Sequence, residues 1–448
     1  MLGKTFKGGV HLKYCKELTA NKPIGRVSLP EEVTIPLLQS AGAACVPIIK
    51  TGDAVEQGAL IADSEKLISA PIHSPVAGKV KAIKKTSHPV IGACVAIVIT
   101  PDREKSEENL FKDRQNVDDI RPEDIVKAVR FCGIVGLGGA AFPTHVKLSP
   151  PKNKHIDTFI LNGAECEPYL TCDDRMMQEK SEEIINGAFL IMKATGIKNG
   201  IIAIEDNKPQ AISAMKLALD TIKSSKQSSL ADEHSLRVIT LRTKYPQGGE
   251  KQLIKALLRR EVPPSKLPFD VGCIVENVQT AYAIYEAVYY HKPLYERTIT
   301  VTGDAIAQPA NLLVKIGTPV SHIIQHCGGI KGELGKLIIG GPMMGLAQYA
   351  SDVPVVKAVS GILALSKESV RVNAQEYCIR CGKCKESCPV NLIPTDIAKA
   401  AECGNFDIAT TLNATDCIEC GCCSYVCPSR IPLVQLIKHA KRSIACQI

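Results

Sequence analysis

Between residues 33 and 99 the apolar positions come in strand-length runs, each closed by glycine, proline or aspartate. The runs Val33-Thr-Ile-Pro-Leu, Cys45-Val-Pro-Ile-Ile, Gly78-Lys-Val-Lys-Ala-Ile and Ala93-Cys-Val-Ala-Ile-Val-Ile predict a small all-β unit spanning residues 1–100. A polar stretch from Pro101 predicts a linker over 101–121. From Pro122 the period changes to that of helices, at 123–131, 177–195, 210–223, 250–259 and 278–290. These alternate with β-branched runs at 159–161, 201–204 and 236–241, the pattern of an α/β sheet domain, here 122–295. A strand from Arg297 and a capped helix after Gly317 suggest a β-grasp module over 296–350. Residues 365–448 carry a different pattern, a repeat of period 39.

Composition narrows the class. The chain has 448 residues, 45% of them apolar and 22% charged, as in a folded protein of about three domains. No apolar run approaches the ~18 residues of a membrane-spanning helix, and the first residues show no secretory signal, so a cytoplasmic protein is expected. The absence of tryptophan, with 4% aromatics and no dense basic block, gives no motive for nucleic-acid binding despite a net charge of +8. Nineteen cysteines are many for a reducing compartment, where metal explains them better than disulfides.

The repeat consists of Cys378-Ile-Arg-Cys381-Gly-Lys-Cys384-Lys-Glu-Ser-Cys388-Pro389 and Cys417-Ile-Glu-Cys420-Gly-Cys-Cys423-Ser-Tyr-Val-Cys427-Pro428. Both copies fit the run of bacterial ferredoxins, in which three close thiolates hold one cubane and the fourth cysteine ligates the other. One [4Fe-4S] cluster is therefore assigned to Cys378, Cys381, Cys384 and Cys427, and the second to Cys417, Cys420, Cys423 and Cys388. A zinc ribbon accounts for C-x₂-C pairs but not for two full copies of this spacing. Cys422 falls outside it and is expected to be unligated. A helix is expected from Asp396, between the copies.

A wire of two cubanes needs a donor. The loop Gly133-Ile-Val-Gly136-Leu-Gly138-Gly139-Ala-Ala-Phe142-Pro143-Thr144-His145-Val-Lys147 lets backbone approach a phosphate or flavin closely. The segment Asn162-Gly-Ala-Glu165-Cys-Glu167-Pro168 follows a strand, at the end where α/β sheets bind ligands. Together with Tyr245-Pro-Gln-Gly248-Gly249-Glu250 and Val275-Glu-Asn277-Val-Gln-Thr280, these segments resemble the flavin- and NADH-binding subunit of complex I, in order over about 150 residues. The resemblance implies FMN on Gly136, Gly138, Gly139 and Lys147, with Asn162, Asn277 and Thr280 on the flavin, ribityl chain or phosphate. It implies Glu165 and Glu167 near flavin or nicotinamide, Phe142 on adenine, and Tyr245 and Glu250 among the cofactor contacts. Leu137 stands where that family has arginine, Ala141 where it has glycine, and Gly248-Gly249-Glu250 where it has Gly-Glu-Glu.

Residues 49–80 resemble biotinyl and lipoyl carrier domains, a barrel-sandwich fold, without a convincing swinging-arm lysine at Lys66, so a structural unit is expected. Over the whole chain, with Phe6-Lys-Gly-Gly-Val-His11 at its start, the sequence resembles the C subunits of Rnf electron-transport complexes. That resemblance implies a multidomain α/β protein: barrel-sandwich domain, Rossmann-like flavin domain, β-grasp module, and helical two-[4Fe-4S] ferredoxin-like domain. It further implies a peripheral subunit on the cytoplasmic face of the membrane. There it would take electrons from NADH through FMN to two clusters and pass them to other Rnf subunits in a complex coupling NADH and ferredoxin to ion transport. Two other readings are weighed beside it: a stand-alone reductase of the cobalamin- or proline-reductase-associated kind, and a non-catalytic electron relay. His11, His73, His88, His145 and His155 show no metal spacing, and the methionines of Gly340-Gly-Pro-Met-Met-Gly345 are expected to pack.

Overall fold

The structure is a computed structural model that describes residues 4–105, 111, 113–117, 119–151, 153–225, 229–370 and 374–447. Much of the expected linker, including 106–110, lies outside the described residues. The barrel sandwich is built from two antiparallel sheets. One orders Val33–Pro36, Gly92–Pro101, Gly78–His88 and Ala54–Val55, and the other Val46–Pro47, Leu60–Asp63 and Ile72–His73. Val33, Ile35, Ile61, Ile72, Ile97 and Ile99 meet between them.

The α/β unit has a four-stranded parallel sheet in the order Ser235–Leu241, Asn199–Glu205, Thr158–Gly163 and Cys273–Asn277. Alternation along each strand sends Phe159, Leu161, Ile202 and Ile204 to one face, against the helices Ser181–Thr195, Pro209–Ser225 and Val278–Tyr290. Ile160, Ile201, Ala203 and Val275 go to the other, against Glu250–Leu258. Both faces are thus covered, as parallel sheets require. The helix expected at 177–195 is two, Cys172–Glu179 and Ser181–Thr195, broken at Lys180 (φ −134°). The two pieces have different anchors: the Glu165 carboxylate at the start of the first, and the contact of Gly187 with Ala281 in the second.

Two boundaries differ from the sequence expectation. The sheet around the β-grasp segment has six strands, ordered Ile24–Arg26, Ala310–Lys315, Glu296–Thr302, Gly361–Ser366, Leu334–Ile339 and Leu346–Gln348. Its first strand comes from the N-terminal region and its fourth from beyond residue 350. Nor do residues 4–15 join the barrel. They run as a strap across other units: Lys4 bridges Leu241, Val10 bridges Tyr245, and the Gly9 amide donates to the Ser387 carbonyl at 2.9 Å. Val10 and Leu12 bury their side chains with Tyr245 and Cys420 instead of against the barrel.

In the C-terminal unit the sequence repeat is a repeat of backbone. Arg380 and Glu419 (φ 55° and 58°), Gly382 and Gly421 (76° and 77°), and Asn391 and Arg430 (58° and 54°) take the same left-handed turns one period apart. Gly382 and Gly421 precede the short helices Lys383–Ser387 and Cys422–Tyr425. The expected intervening helix is Pro394–Glu402, packed on Leu433–Gln447.

Candidate electron-transfer site

The eight repeat cysteines divide between two cavities. One is lined by Cys378, Cys381, Cys384 and Cys427. The other is lined by Cys388, Cys417, Cys420 and Cys423, with Cys422 beside them. The fourth cysteine of each run has crossed to the other copy's triplet, the division that the ferredoxin spacing requires. Backbone amides already face the sulfurs: Arg380 N lies 3.4 Å from Cys378 Sγ, Glu419 N 3.4 Å from Cys417 Sγ, and Leu392 N 3.3 Å from Cys388 Sγ. Burial pushes the Cys417 thiol up to about 11 and that of Cys423 to about 12. Forming thiolates there is costly without iron to bind them.

The cleft lies beyond the carboxyl ends of the parallel strands. Its rim is the glycine-rich loop, closed by Gly136 N to Phe142 O (2.8 Å) and Ala141 N to Gly136 O (3.1 Å). Thr280 Oγ1 accepts from Leu137 N at 2.9 Å, tying the loop to the first turn of Val278–Tyr290. The amides of the exposed Gly138, Gly139 and Ala140 meet no acceptor among the described residues. Gly139 sits at φ +111° with open space where a Cβ would be. Three consecutive free amides on a bare backbone beside a helix N-terminus suit the anionic phosphate of FMN. Asn277 caps that helix, accepting from Gln279 N at 2.8 Å, while its amide donates to Asp173 at 2.6 Å. Asn162 accepts from Ala164 N and donates to Gly248 O (2.9 Å), fixing the opposite wall. Phe142 is half-buried on the loop.

Lys147 lies in the cleft floor, 3.4 Å from both Glu250 and Glu276, and donates to Val275 O. Burial alone lowers its pKa, but the Glu276 and Glu250 carboxylates outweigh burial and keep it charged. Its three donors are thus met by Glu250, Glu276 and Val275 O.

Three of the residues expected at the cofactor are hydrogen-bonded to the protein's own backbone. Glu165, its side chain 4% exposed, accepts from Asp173 N (2.7 Å) and Asp174 N (3.3 Å) and faces Lys16 at 3.8 Å. Glu167 accepts from Met343 N (3.1 Å) and Met344 N (2.8 Å). Tyr245 is fully buried and its hydroxyl donates to Cys420 O at 2.8 Å. For the two glutamates the physical reason is burial beside a helix start and a turn whose amides need acceptors, and for Tyr245 it is a buried hydroxyl that needs a carbonyl to donate to. Burial raises both glutamates to about 7. The Gly340–Gly345 segment thus contributes its amides, and Met344 is 48% exposed rather than packed.

Sequence reasoning missed Lys16, whose ammonium donates to the carbonyls of Glu165 (2.9 Å), Glu167 (3.1 Å) and Leu170. It also missed Arg297, buried, which donates to Leu137 O at 3.3 Å and so holds the glycine-rich loop from the six-stranded sheet. Neither has a local signal, because their partners lie about 150 residues away. Asp173 was legible in part, inside the acidic segment after Glu167.

A doubly covered parallel sheet with a phosphate-cradling loop, joined to a unit of two crossed cysteine tetrads, defines the class: a flavin- and iron–sulfur-dependent oxidoreductase component. Family models agree segment by segment: the Nuo51 FMN-binding domain over residues 129–286, the RnfC barrel sandwich hybrid domain over 4–104, the SLBB domain over 298–347, and a 4Fe-4S dicluster domain over 377–431. The chain is 45% identical to the C subunit of the Na(+)-translocating ferredoxin:NAD(+) oxidoreductase complex of Acetobacterium woodii, covering 99% of this chain and 98% of that one. It is 46% identical to the counterpart in the proton-translocating complex of Clostridium ljungdahlii, covering 88% and 83% respectively. With the C subunit of the ion-translocating oxidoreductase complex of Rhodobacter capsulatus it shares 42% identity, over 98% and 83%. The chain belongs to the RnfC family, the C subunits of ion-translocating oxidoreductase complexes. An NAD+-reducing [NiFe]-hydrogenase structure, in the H2-reduced state, shares the fold at a TM-score of 0.54 and 16% identity, over 75% of this chain and 62% of that one.

Proposed function

We propose that this chain is the NADH-oxidising input subunit of an Rnf complex, a peripheral NADH dehydrogenase module whose partners are the other subunits. When bound, FMN and two [4Fe-4S] clusters supply the conversion of a hydride's electron pair into single electrons. The chain's own residues bind and orient. The amides of Gly138, Gly139 and Ala140 hold phosphate, Lys147 adds positive charge to the cleft, and Gly136 and Thr280 fix the loop that carries the amides. Asn162 and Asn277 set the cleft walls, with Phe142 on the loop toward the nucleotide and Glu250 beside Lys147. Glu165, Glu167 and Tyr245 act one step back, as positioning residues. Cys378, Cys381, Cys384 and Cys427, and Cys388, Cys417, Cys420 and Cys423, ligate the clusters.

The observation that carries this reading is the crossing of the tetrads on a unit that touches the cleft wall through Tyr245. No described helix is long and apolar enough to cross a membrane, in keeping with a peripheral subunit. Anaerobic titration of flavin- and iron-replete protein with NADH tests it. Flavin bleaching with cluster EPR signals is the expected result. Clusters reducible by dithionite but untouched by NADH would make the chain a relay instead.

A further inference from the structure

The glycine-rich loop offers a phosphate its amides but no charge, for between Gly133 and Phe142 it holds no lysine, arginine or histidine. A phosphate monoester carries about −1.5 to −2 charges at pH 7. Lys147 is charged, but Glu250, Glu276 and Val275 O already take its three donors.

Beneath the loop lies a cation in the opposite condition. Arg297, on the strand Glu296–Thr302, is 2% exposed. Its guanidinium donates to two neutral carbonyls, Leu137 O at 3.3 Å and Lys357 O. Its buried Nε meets no acceptor, and the guanidinium forms no ion pair among the described residues. The carboxylate that acts on it is that of Asp173, whose two oxygens are taken by Asn277 (2.6 Å) and Gln279 (2.8 Å). Burial pushes the Arg297 pKa below its ordinary value, yet a guanidinium keeps its proton inside proteins. Lys357 is a second buried cation on this side, donating to Gly133 O (2.7 Å) and Pro71 O (2.8 Å). Burial brings its pKa down to about 7, so at neutral pH it carries a charge only part of the time.

A buried charge without a counter-charge is unfavourable, so Arg297 needs an anion that the described residues do not supply. Its contact points to where that anion sits. Leu137 is 3% exposed and held at both ends, its amide by Thr280 Oγ1 (2.9 Å) and its carbonyl by Arg297. The next three residues are those whose amides meet no acceptor.

We propose that Arg297 is the counter-charge of the FMN phosphate, a positioning residue that fixes Leu137 from beneath and gives the loop the positive charge it lacks. The inference rests on the reading of this cleft as an FMN site. It assigns the discrimination between FMN and riboflavin, which differ by the phosphate, to a residue from another sheet.

The test compares the two flavins on the full chain, loaded with iron and stripped of flavin, by fluorescence quenching. In the wild type FMN should bind more tightly than riboflavin. Arg297→Gln keeps a donor for Leu137 O and loses the charge. It should bind FMN at least about tenfold more weakly while riboflavin stays within about threefold. Arg297→Lys, which restores the charge, should recover most of the preference. Equal weakening of both flavins in Arg297→Gln, an unchanged preference there, or no recovery in Arg297→Lys would each overturn the proposal. If Arg297→Gln does not fold, the wild type decides. A buried cation is little screened, so raising potassium chloride from about 50 to about 500 mM should change the preference by less than about threefold. A fall of about tenfold or more would move the charge to exposed lysines and overturn the proposal. A wild type that binds neither flavin sinks the FMN reading and this inference with it. One that binds both alike keeps a flavin site and sinks the inference alone.

Discussion

The Lys16 ammonium satisfies three carbonyls of the acidic loop and the Glu165 carboxylate at once, in a site where its side chain is 11% exposed. Lys16→Met strands all of them, and breaking a buried pair costs about 3–5 kcal/mol. Denaturant unfolding should report a loss of that size, with flavin released at lower denaturant than the clusters. Glu167 gives a pH signature. Its folded pKa, about 7, lies above the ordinary 4.5, so the folded state holds the extra proton and its contribution is complete below about pH 4.5 and lost as pH rises through 7. Glu167→Gln should flatten the fall in melting temperature between pH 5 and 8; an unchanged slope would assign it elsewhere. At this scale the sequence was readable where ligands are local. Four cysteines within eleven positions state their chemistry, whereas Lys16 and Arg297 become legible only after the chain has folded back on itself.

Among elements, the tightest helix pairing in the α/β unit is between Ser181–Thr195 and Val278–Tyr290. A Cβ on Gly187 would lie 1.9 Å from the Ala281 carbonyl oxygen, which is backbone and cannot step aside. Gly187→Ala should cost about 3 kcal/mol, the upper range for overpacking. The second helix also carries Asn277 and Thr280 at its start, so the same variant should lose flavin; full flavin content with normal stability would contradict the helix-spacing argument. Periodicity gave three of the four parallel strands and most helices to within about two residues, because burial on both sheet faces leaves continuous apolar runs; it did not give Cys273–Asn277. It failed at Lys180, where direction is set by a distant carboxylate, and at Ile24–Arg26, three residues whose pairing with Asn311–Leu313 no local pattern announces.

At the scale of the whole molecule, the C-terminal unit has a modest core of its own around Ile397, Ala409, Ile437 and Ile444, which adjoins the Cys388, Cys417, Cys420 and Cys423 cavity through Leu392 and Ile437. Iron chelation should therefore unfold this unit first. Limited proteolysis should then cut within 378–430 while the flavin-bearing part stays intact; equal resistance with and without iron would show that the clusters are not structural. The order of units was plain from the sequence, but their contacts were not, since residues 4–15 look like the opening of the barrel and serve elsewhere. That strap has a consequence for biogenesis. Its partner Ser387 is synthesised some 380 residues after Gly9, so the strap waits for all of the intervening chain to be made before its place exists. The newborn protein closes like a clasp, and a bulky insertion beside Gly9 would obstruct maturation of the cysteine repeat some 380 residues away.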